Sequence, residues 1–365
     1  MHRKICSTDA NAHEHPIRPQ SMLQLVECVP NFSEGRDKDI IDAITGEMLS
    51  IDNVVLLDVD MGFDFNRTVV TIVGPPNMVL EAVIRGTKVA LELIDMRQHS
   101  GEHDRMGAVD VVPFIPISGT TMEDCVQLSI QYAKRVSEEL ELPVYLYAES
   151  ARSDERIRLP DIRRGEYEGL VDKLQDPKWA PDFGPAEFKP TMGITATGGR
   201  NILIAYNVNL NTSDKASAAK IAGKLRSSGV ILRDQNGEKV VGPDGKPERI
   251  PGKFEALQAA GWMYNENTAQ VSMNLLDYSV TGLHSITEAI REESKLLGLE
   301  VTAGELVGLV PLQAMLDAGR FYSSEPESDD VFEIVQAAIR GLQLDVLDSF
   351  KSNERIIEWA AGVIE

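Results

Sequence analysis

In the first half of the chain, stretches whose apolar residues have the spacing of a strand alternate with stretches whose apolar residues have the spacing of a helix. Short runs rich in β-branched residues predict strands, at 23–32, 54–60, 67–73, 109–117 and 143–147. Apolar residues three and four positions apart predict amphipathic helices between them, at 37–49, 74–94 and 120–140. The order strand–helix–strand–strand–helix–strand is that of a ferredoxin-like unit.

The second half repeats this order of elements without a convincing repeat of residues. Its predicted strands lie at 202–207, 259–264, 269–274 and 300–306, and its helices at 213–227 and 280–297. We therefore expect an α+β fold with two ferredoxin-like subdomains. Residues 234–251 are rich in Asp, Gly and Pro and predict an exposed hairpin or loop insertion. Two amphipathic helices, at 331–344 and 353–364, are predicted to end the chain.

The predicted organisation has four parts. Residues 1–21 contain no apolar run and are interpreted as a disordered tail, or as an upstream start ahead of Met22. The first subdomain spans 22–190, the second spans 191–325, and the C-terminal helices occupy 326–365. The end of the first subdomain, at 151–190, is long and lacks periodicity, which indicates a functional connector.

Composition narrows the range of partners. The 365-residue chain has a net charge of −21, which argues against broad nucleic-acid binding because such binding needs a basic face. No apolar run reaches the roughly 20 residues that a membrane span requires. The three cysteines show neither metal-ligand spacing nor a disulfide framework, so we expect a cytoplasmic protein.

Candidate chemistry is concentrated at 99–116, where two histidines and several charged residues precede an apolar strand. His103 is a candidate general acid/base because an imidazole exchanges protons near neutral pH, and Glu102, Asp104 or Asp110 could orient it. The alternative is a loop histidine that makes structural hydrogen bonds. His99, four residues earlier, would complete a two-histidine metal site only on a helix, which Gly101 argues against.

Other candidates lie at strand ends and in turns. Asp60 ends a strand and shares a face with Asp58; its alternative role is to cap a turn. Arg67 and Arg105 could hold substrate carboxylates through paired hydrogen bonds, or could form surface ion pairs. Residues 184–193, like 74–76 and 197–200, have the composition of glycine-containing turns and match no nucleotide-binding motif.

Long stretches of this sequence resemble the glutamate formimidoyltransferase family, the formiminotransferases of histidine degradation and one-carbon folate metabolism. The most specific is Gly-Glu-His-Asp-Arg-Met-Gly-Ala at 101–108. The stretches that carry the resemblance lie at 25–35, 56–60, 66–68, 73–76, 101–116, 143–147, 179–185, 281–284 and 306–311. Two departures stand out: Asp104 occupies a position where the family pattern leads us to expect proline, and the insertion at 234–251 is longer than expected.

The resemblance implies two ferredoxin-like subdomains facing across a substrate groove, a homodimer, and no metal. It implies transfer of the formimino group of N-formimino-L-glutamate to N5 of tetrahydrofolate or its polyglutamylated forms, which act as co-substrate. It places the catalytic histidine on His103 and a supporting acid on Asp60. The family's folate-contact segment falls on Gly184, Pro185, Ala186, Glu187, Phe188, Lys189, Pro190, Thr191, Met192 and Gly193. We expect no cyclodeaminase part.

Three alternatives remain open at this point. The donor could be N-formylglutamate, which differs from the formimino donor by one atom, oxygen in place of NH. The protein could bind folate without catalysis. A metal enzyme is the third alternative.

Overall fold

The first sheet shows how a single predicted strand is divided. In the computed structural model, which describes residues 24–362, the run predicted at 23–32 forms β1 (Leu25–Cys28) and β2 (Asn31–Phe32). The break falls at Val29 and Pro30, and the proline has no N–H for the ladder. Both pieces lie between the same two strands, β4 (Arg67–Gly74) and β5 (Val109–Ser118), so they fill one position in the sheet.

The first ferredoxin-like unit is completed by a hairpin and two helices. Strand β3 (Val55–Gly62) pairs antiparallel with β4, which gives the spatial order β3, β4, β1/β2, β5. Helices α1 (Lys38–Met48) and α2 (Pro76–Leu93) pack together on one face of this sheet. The opposite face, which we call the open face, is not covered by α1 and α2. It contacts the second half of the molecule and carries the charged residues described below.

Beyond β5 the sheet is extended by parallel strands. Helix α3 (Met122–Leu140) begins with a capping box, in which Asp124 N–H donates to Thr121 Oγ1 at 3.2 Å and Thr121 N–H donates to Asp124 Oδ2 at 2.8 Å. It leads to β6 (Val144–Leu146), but β6 does not lie beside β5. Strand β7 (Thr195–Gly199) lies between them, parallel to both.

Strand β7 overturns the prediction of a turn at 197–200. The hydroxyls of Thr195 and Thr197 donate to the carbonyls of Val109 and Val112 at 2.6 and 2.7 Å, which fixes β7 against β5. A Cβ on Gly198 would lie 2.1 Å from the carbonyl oxygen of Tyr147, so only glycine fits this close approach. The predicted subdomain boundary at residue 190 stays a prediction, with β7 just beyond it in the first sheet.

The second unit has the predicted order of elements. It contains β8 (Ile204–Leu210), α6 (Lys215–Leu225), β11 (Leu257–Asn265), β12 (Thr268–Leu275), α7 (Leu283–Leu296) and β13 (Val301–Val307). Its sheet is antiparallel in the order β11, β12, β8, β13, which is the ferredoxin-like order. The insertion at 234–251 is mostly exposed and is closed at its base by two short strands, β9 (Val230–Ile231) and β10 (Arg249–Ile250). The α+β fold class is thereby confirmed.

The remaining helices pack around these two units. The connector contains α4 (Leu159–Arg163) and α5 (Leu170–Lys173), and the C-terminal part contains α8 (Leu312–Tyr322) and α9 (Val331–Leu342). The single helix predicted at 353–364 is instead two short ones, α10 (Ser352–Arg355) and α11 (Ile357–Ala360). They are separated at Ile356, whose backbone forms a bridge with Val310. The predicted tail at 1–21 lies outside the described residues.

The two units meet through the open face of the first sheet. Leu25, Val73 and Ile115 on that face belong to the same apolar cluster as the core of the second unit. Glu27 is 5% exposed at this contact, and burial raises its pKa to about 7, with the charge of Glu358 raising it further and that of Arg200 opposing. Within residues 24–362 no helix has the length and apolarity to cross a membrane.

Candidate active site

The segment between α2 and β5 carries the two histidines on a loop, residues 99–107, that we call the histidine loop. Asn66, in the turn between β3 and β4, holds this loop with both its side chain and its backbone. Its Nδ2 donates to the carbonyl of Ser100 at 3.1 Å, and its own carbonyl accepts from His99 Nε2 at 2.8 Å. Asn66 adopts a left-handed conformation with φ of 47°, which asparagine tolerates better than most residues. The histidine loop is therefore fixed to the start of β4.

Within residues 24–362, only one of the two imidazole nitrogens of His103 has a hydrogen-bond partner. Its Nδ1 lies 2.6 Å from the carbonyl oxygen of Asp104, and since a carbonyl only accepts, Nδ1 carries the proton. The ring also makes an edge contact with Phe65, with centroids 6.2 Å apart. Nε2 of a neutral His103 is consequently available as a proton acceptor.

The surroundings of His103 favour its neutral form. Burial lowers its pKa most, and the positive charges of Arg67 and Arg163 lower it further. The hydrogen bond to Asp104 and the charge of Asp110 act in the opposite direction without reversing the shift. A neutral imidazole at pH 7 is the state that a general base requires.

Asp60 and Arg67 lie on the open face of the first sheet. Asp60 pairs with Val69 across the β3–β4 ladder and Arg67 pairs with Gly62, so the two side chains are diagonal neighbours on one face. Arg67 Nε donates to Asn31 Oδ1 at 2.8 Å, which holds the guanidinium against the sheet. Asp60 is exposed, and its carboxylate has no hydrogen bond or ion pair with another described side chain.

A buried ion pair that sequence reasoning missed completes this cluster. Arg163, at the end of α4, donates to Asp110 Oδ2, and Asp110 Oδ1 accepts from the backbone N–H of Met106 at 2.8 Å. Arg163 Nε is buried and has no partner within residues 24–362. Arg163 lies 53 positions from Asp110 in a connector with many arginines, so no spacing in the sequence could single it out.

The guanidinium of Arg105 already donates to other protein groups and is not available to a substrate in this arrangement. Its side chain is 8% exposed, and its guanidinium donates to Glu166 and Glu168 of the connector at 2.6–3.0 Å. Its remaining nitrogen, Nε, donates to His99 Nδ1 at 3.2 Å. The predicted role of Arg105 as a carboxylate ligand would require these bonds to break.

The same contacts argue against a metal held by both histidines. His99 uses Nε2 for Asn66 and Nδ1 for Arg105, so neither nitrogen is available as a ligand in this arrangement. Over residues 24–362 there is no group of three or more His, Cys, Asp or Glu side chains arranged to hold a metal.

The segment at 184–193 lies next to the histidine loop. Ala108 N–H donates to the carbonyl of Met192 at 2.9 Å, and Ile194 N–H donates to that of Met106 at 3.1 Å. Gly193 has φ of 68°, and a Cβ there would lie 2.1 Å from the Met106 carbonyl oxygen. A segment that reads as ordinary turns in the sequence is thus hydrogen-bonded to the loop that carries His103.

Comparison with known proteins identifies the family. Residues 25–200 match the family model "Formiminotransferase domain, N-terminal subdomain", and residues 205–362 match "Formiminotransferase domain". The chain belongs to the formiminotransferase family. The first of these two models ends just after β7, at the point where the chain leaves the first sheet.

Relatives of this formiminotransferase-family chain are of two lengths. It is 38% identical to the glutamate formimidoyltransferase of Streptococcus pyogenes serotype M1, over 88% of this chain and 100% of that protein. It is 41% identical to that of Thermoplasma acidophilum, over 82% of this chain and 92% of that protein. It is 46% identical to the formimidoyltransferase-cyclodeaminase of Sus scrofa, over 93% of this chain. The chain spans about 60% of the length of the formimidoyltransferase-cyclodeaminases it matches.

Proposed function

We propose that this protein transfers the formimino group of N-formimino-L-glutamate to N5 of tetrahydrofolate, giving 5-formimino-tetrahydrofolate and glutamate. The observation that carries the proposal is His103, whose Nδ1 is occupied by a carbonyl and whose pKa is lowered, which leaves Nε2 as a base. The names of its full-length relatives from Streptococcus pyogenes and Thermoplasma acidophilum support the same reaction.

The reaction needs two proton transfers, and one imidazole can make both. N5 of tetrahydrofolate attacks the formimino carbon, and His103 Nε2 takes the proton that N5 loses. The resulting imidazolium gives this proton to the glutamate nitrogen as the bond between that nitrogen and the formimino carbon breaks. Bringing two substrates together on one surface removes much of the entropic cost of the encounter.

Asp60 and Arg67 fit the charges of the donor. A formimino group is an amidine and is cationic near neutral pH. The exposed Asp60 carboxylate, which has no partner among the described side chains, stabilises such a cation. The Arg67 guanidinium, held by Asn31, is placed to attract a carboxylate of the glutamate part. This charge pattern favours the formimino donor over the neutral formyl donor.

Several further features are part of the proposal. Residues 184–193, bonded to the histidine loop, would contact the folate. We also propose that the protein acts in the cytoplasm, in histidine degradation, as a homodimer. Light scattering on the purified chain tests the dimer directly.

The test measures product with both donors. Purified protein is mixed with tetrahydrofolate and either N-formimino-L-glutamate or N-formylglutamate, and the 5-substituted folate is followed directly. We expect the formimino product, and Asp60→Asn is expected to lower kcat/KM for that donor by about 10- to 100-fold. Asp58→Asn, on the same face of the same strand, is the matched control and should change it less than about twofold.

Other outcomes assign the alternatives. Turnover of the formyl donor alone would replace the proposed donor. Folate binding without transfer to either product would identify a folate-binding protein. Equal effects of Asp60→Asn and Asp58→Asn would remove the role given to Asp60.

A further inference from the structure

One buried guanidinium joins the histidine loop to the connector. Arg105, in the histidine loop, bonds His99 on one side and Glu166 and Glu168 of the connector on the other. Its backbone carbonyl also accepts from Tyr167 N–H at 2.9 Å. The connector turn at 165–168 is therefore attached to the histidine loop by both side chains and backbone.

The same turn is attached to the segment at 184–193. Tyr167 Oη donates to the carbonyl of Pro190 at 2.6 Å, and its ring packs on Phe188 with centroids 5.5 Å apart. Tyr167 also lies under Arg105, whose guanidinium carbon is 6.0 Å from the ring centroid. A single path of contacts thus runs from the histidine loop through the connector turn to 184–193.

The connector turn is strained at the residue that Arg105 binds. Glu166 has φ of 52°, a left-handed conformation that costs a side-chain-bearing residue energy, and it follows Gly165 with φ of 89°. The carboxylates of Glu166 and Glu168 are 40% and 64% exposed, yet both reach a guanidinium that is 8% exposed. Exposed ion pairs alone contribute little to stability, so this arrangement points to a role in positioning.

We propose that Arg105 is a positioning residue that holds the histidine loop and the 184–193 segment in register through the connector turn. This role rests on the proposed function, because it connects His103, the proposed base, with residues 184–193, the proposed folate contact. It replaces the expectation that Arg105 binds a substrate carboxylate. Two carboxylates already bind this guanidinium, and their negative charges would repel the carboxylate of a substrate.

The two roles of Arg105 predict opposite results when the glutamates are neutralised. The double variant Glu166→Gln/Glu168→Gln weakens the hold on Arg105 without changing any group near His103. For a positioning role, kcat falls about 10- to 100-fold because small displacements of catalytic groups are costly, and KM for the donor stays within about twofold. For a substrate-binding role, the freed guanidinium lowers KM for the donor and kcat is unchanged, which would overturn the proposal.

Three further measurements sharpen this test. Glu155→Gln, on the same connector and paired with Lys178 at 2.6 Å, is the matched control and should leave kcat unchanged. Glu168→Gln keeps an oxygen that accepts from Arg105, so it should lose less activity than Glu168→Ala. Equal losses for these two, or an effect of Glu155→Gln as large as that of the double variant, would contradict the proposal.

A readout without turnover separates this inference from the proposed function. The imidazole signals of His103, assigned by their absence in His103→Gln, are followed by NMR during a pH titration without ligand. The double variant should shift the titration midpoint of His103, since the loop moves relative to Arg67 and Arg163, while Glu155→Gln should not. An unshifted midpoint would overturn the positioning role even in a protein that transfers no formimino group.

Discussion

The two ferredoxin-like units share an order of elements and differ in what connects them. In the first unit the helix before the last strand is followed by residues 94–108, which include the histidine loop. In the second unit the same connection, from α7 to β13, is only residues 297–300. The first sheet is also extended by two parallel strands and covered by a connector, and the second is not. The candidate base His103 therefore lies on a connection, whereas Asp60 and Arg67 lie on strands β3 and β4 of the shared scaffold.

The open faces of the two sheets differ in the same way. The first carries Asp60 and Arg67, and the charge of Arg67 acts on His103. The second carries amides: Asn209 lies opposite Gln270 in register, and the side-chain oxygens of both are buried without a partner among the described residues. The buried Asn209–Gln270 pair is thus neutral, whereas Asp60 and Arg67 are charged. The second sheet also carries a carboxylate on this face, that of Glu305, which accepts from Asn207 Nδ2 at 3.0 Å.

The largest expected effect is on kcat, and it is tested by substituting one histidine in each unit. His103→Ala should lower kcat by about 10²- to 10⁴-fold, the usual contribution of a general acid/base. His284→Gln, in the second unit, replaces a ring that stacks on Phe321 at 4.9 Å and should change kcat less than about twofold. Steady-state kinetics with the formimino donor checks both. A similar loss in the two variants would show that the chemistry is not confined to the first unit.

A smaller effect is expected on the free energy of unfolding when one ion pair in each unit is broken. Asp110→Asn leaves Arg163 buried and unpaired, and should lower the free energy of unfolding by about 3–5 kcal/mol. Glu293→Gln breaks a more exposed pair with Lys224 in the second unit, and should cost about 1 kcal/mol or less. Urea denaturation measures both values. Equal costs would mean that the Arg163–Asp110 pair does not stabilise the attachment of the connector to β5.

The smallest effect concerns Glu27, where the units meet. Its folded pKa of about 7 lies above the ordinary value of 4.5, so the folded state holds this proton more tightly than the unfolded state. The stabilisation is complete below pH 4.5 and is lost as the pH rises through 7, with a limit of about 3 kcal/mol.

Glu27→Gln should therefore raise the free energy of unfolding at pH 8 by up to about 3 kcal/mol and change it little at pH 4.5. Urea denaturation of wild type and variant at the two pH values checks this prediction. A difference that is the same at both values would show that deprotonation of Glu27 does not oppose the contact between the units.

Much of the fold follows from local pattern because each amphipathic element carries its own period. Strand β7 was missed because Thr-Ala-Thr-Gly-Gly has no large apolar residue, and its burial comes from its neighbours. The break at Ile356 was missed because it depends on the bridge to Val310. Both features arise from tertiary contacts that a local pattern does not contain.

The same limit applies to the site. His103, Asp60 and Arg67 could be proposed from the sequence because loops and strand ends that carry such residues are few, and the family resemblance selects among them. Arg163 and the partners of Arg105 could not, because their bonds join positions 53 to 63 residues apart. The pairing of charges across the connector is a property of the folded chain.

The position of β7 has a consequence for how the chain acquires its structure. Strand β6 has a neighbour in the sheet only when β7 lies beside it, and β7 follows the whole connector. As the chain leaves the ribosome, the first sheet therefore cannot be completed until Gly199 has emerged. Strand β7 is the last strand of the first sheet to be made, and the connector that carries Arg163 is joined to the sheet at both ends only when β7 has paired.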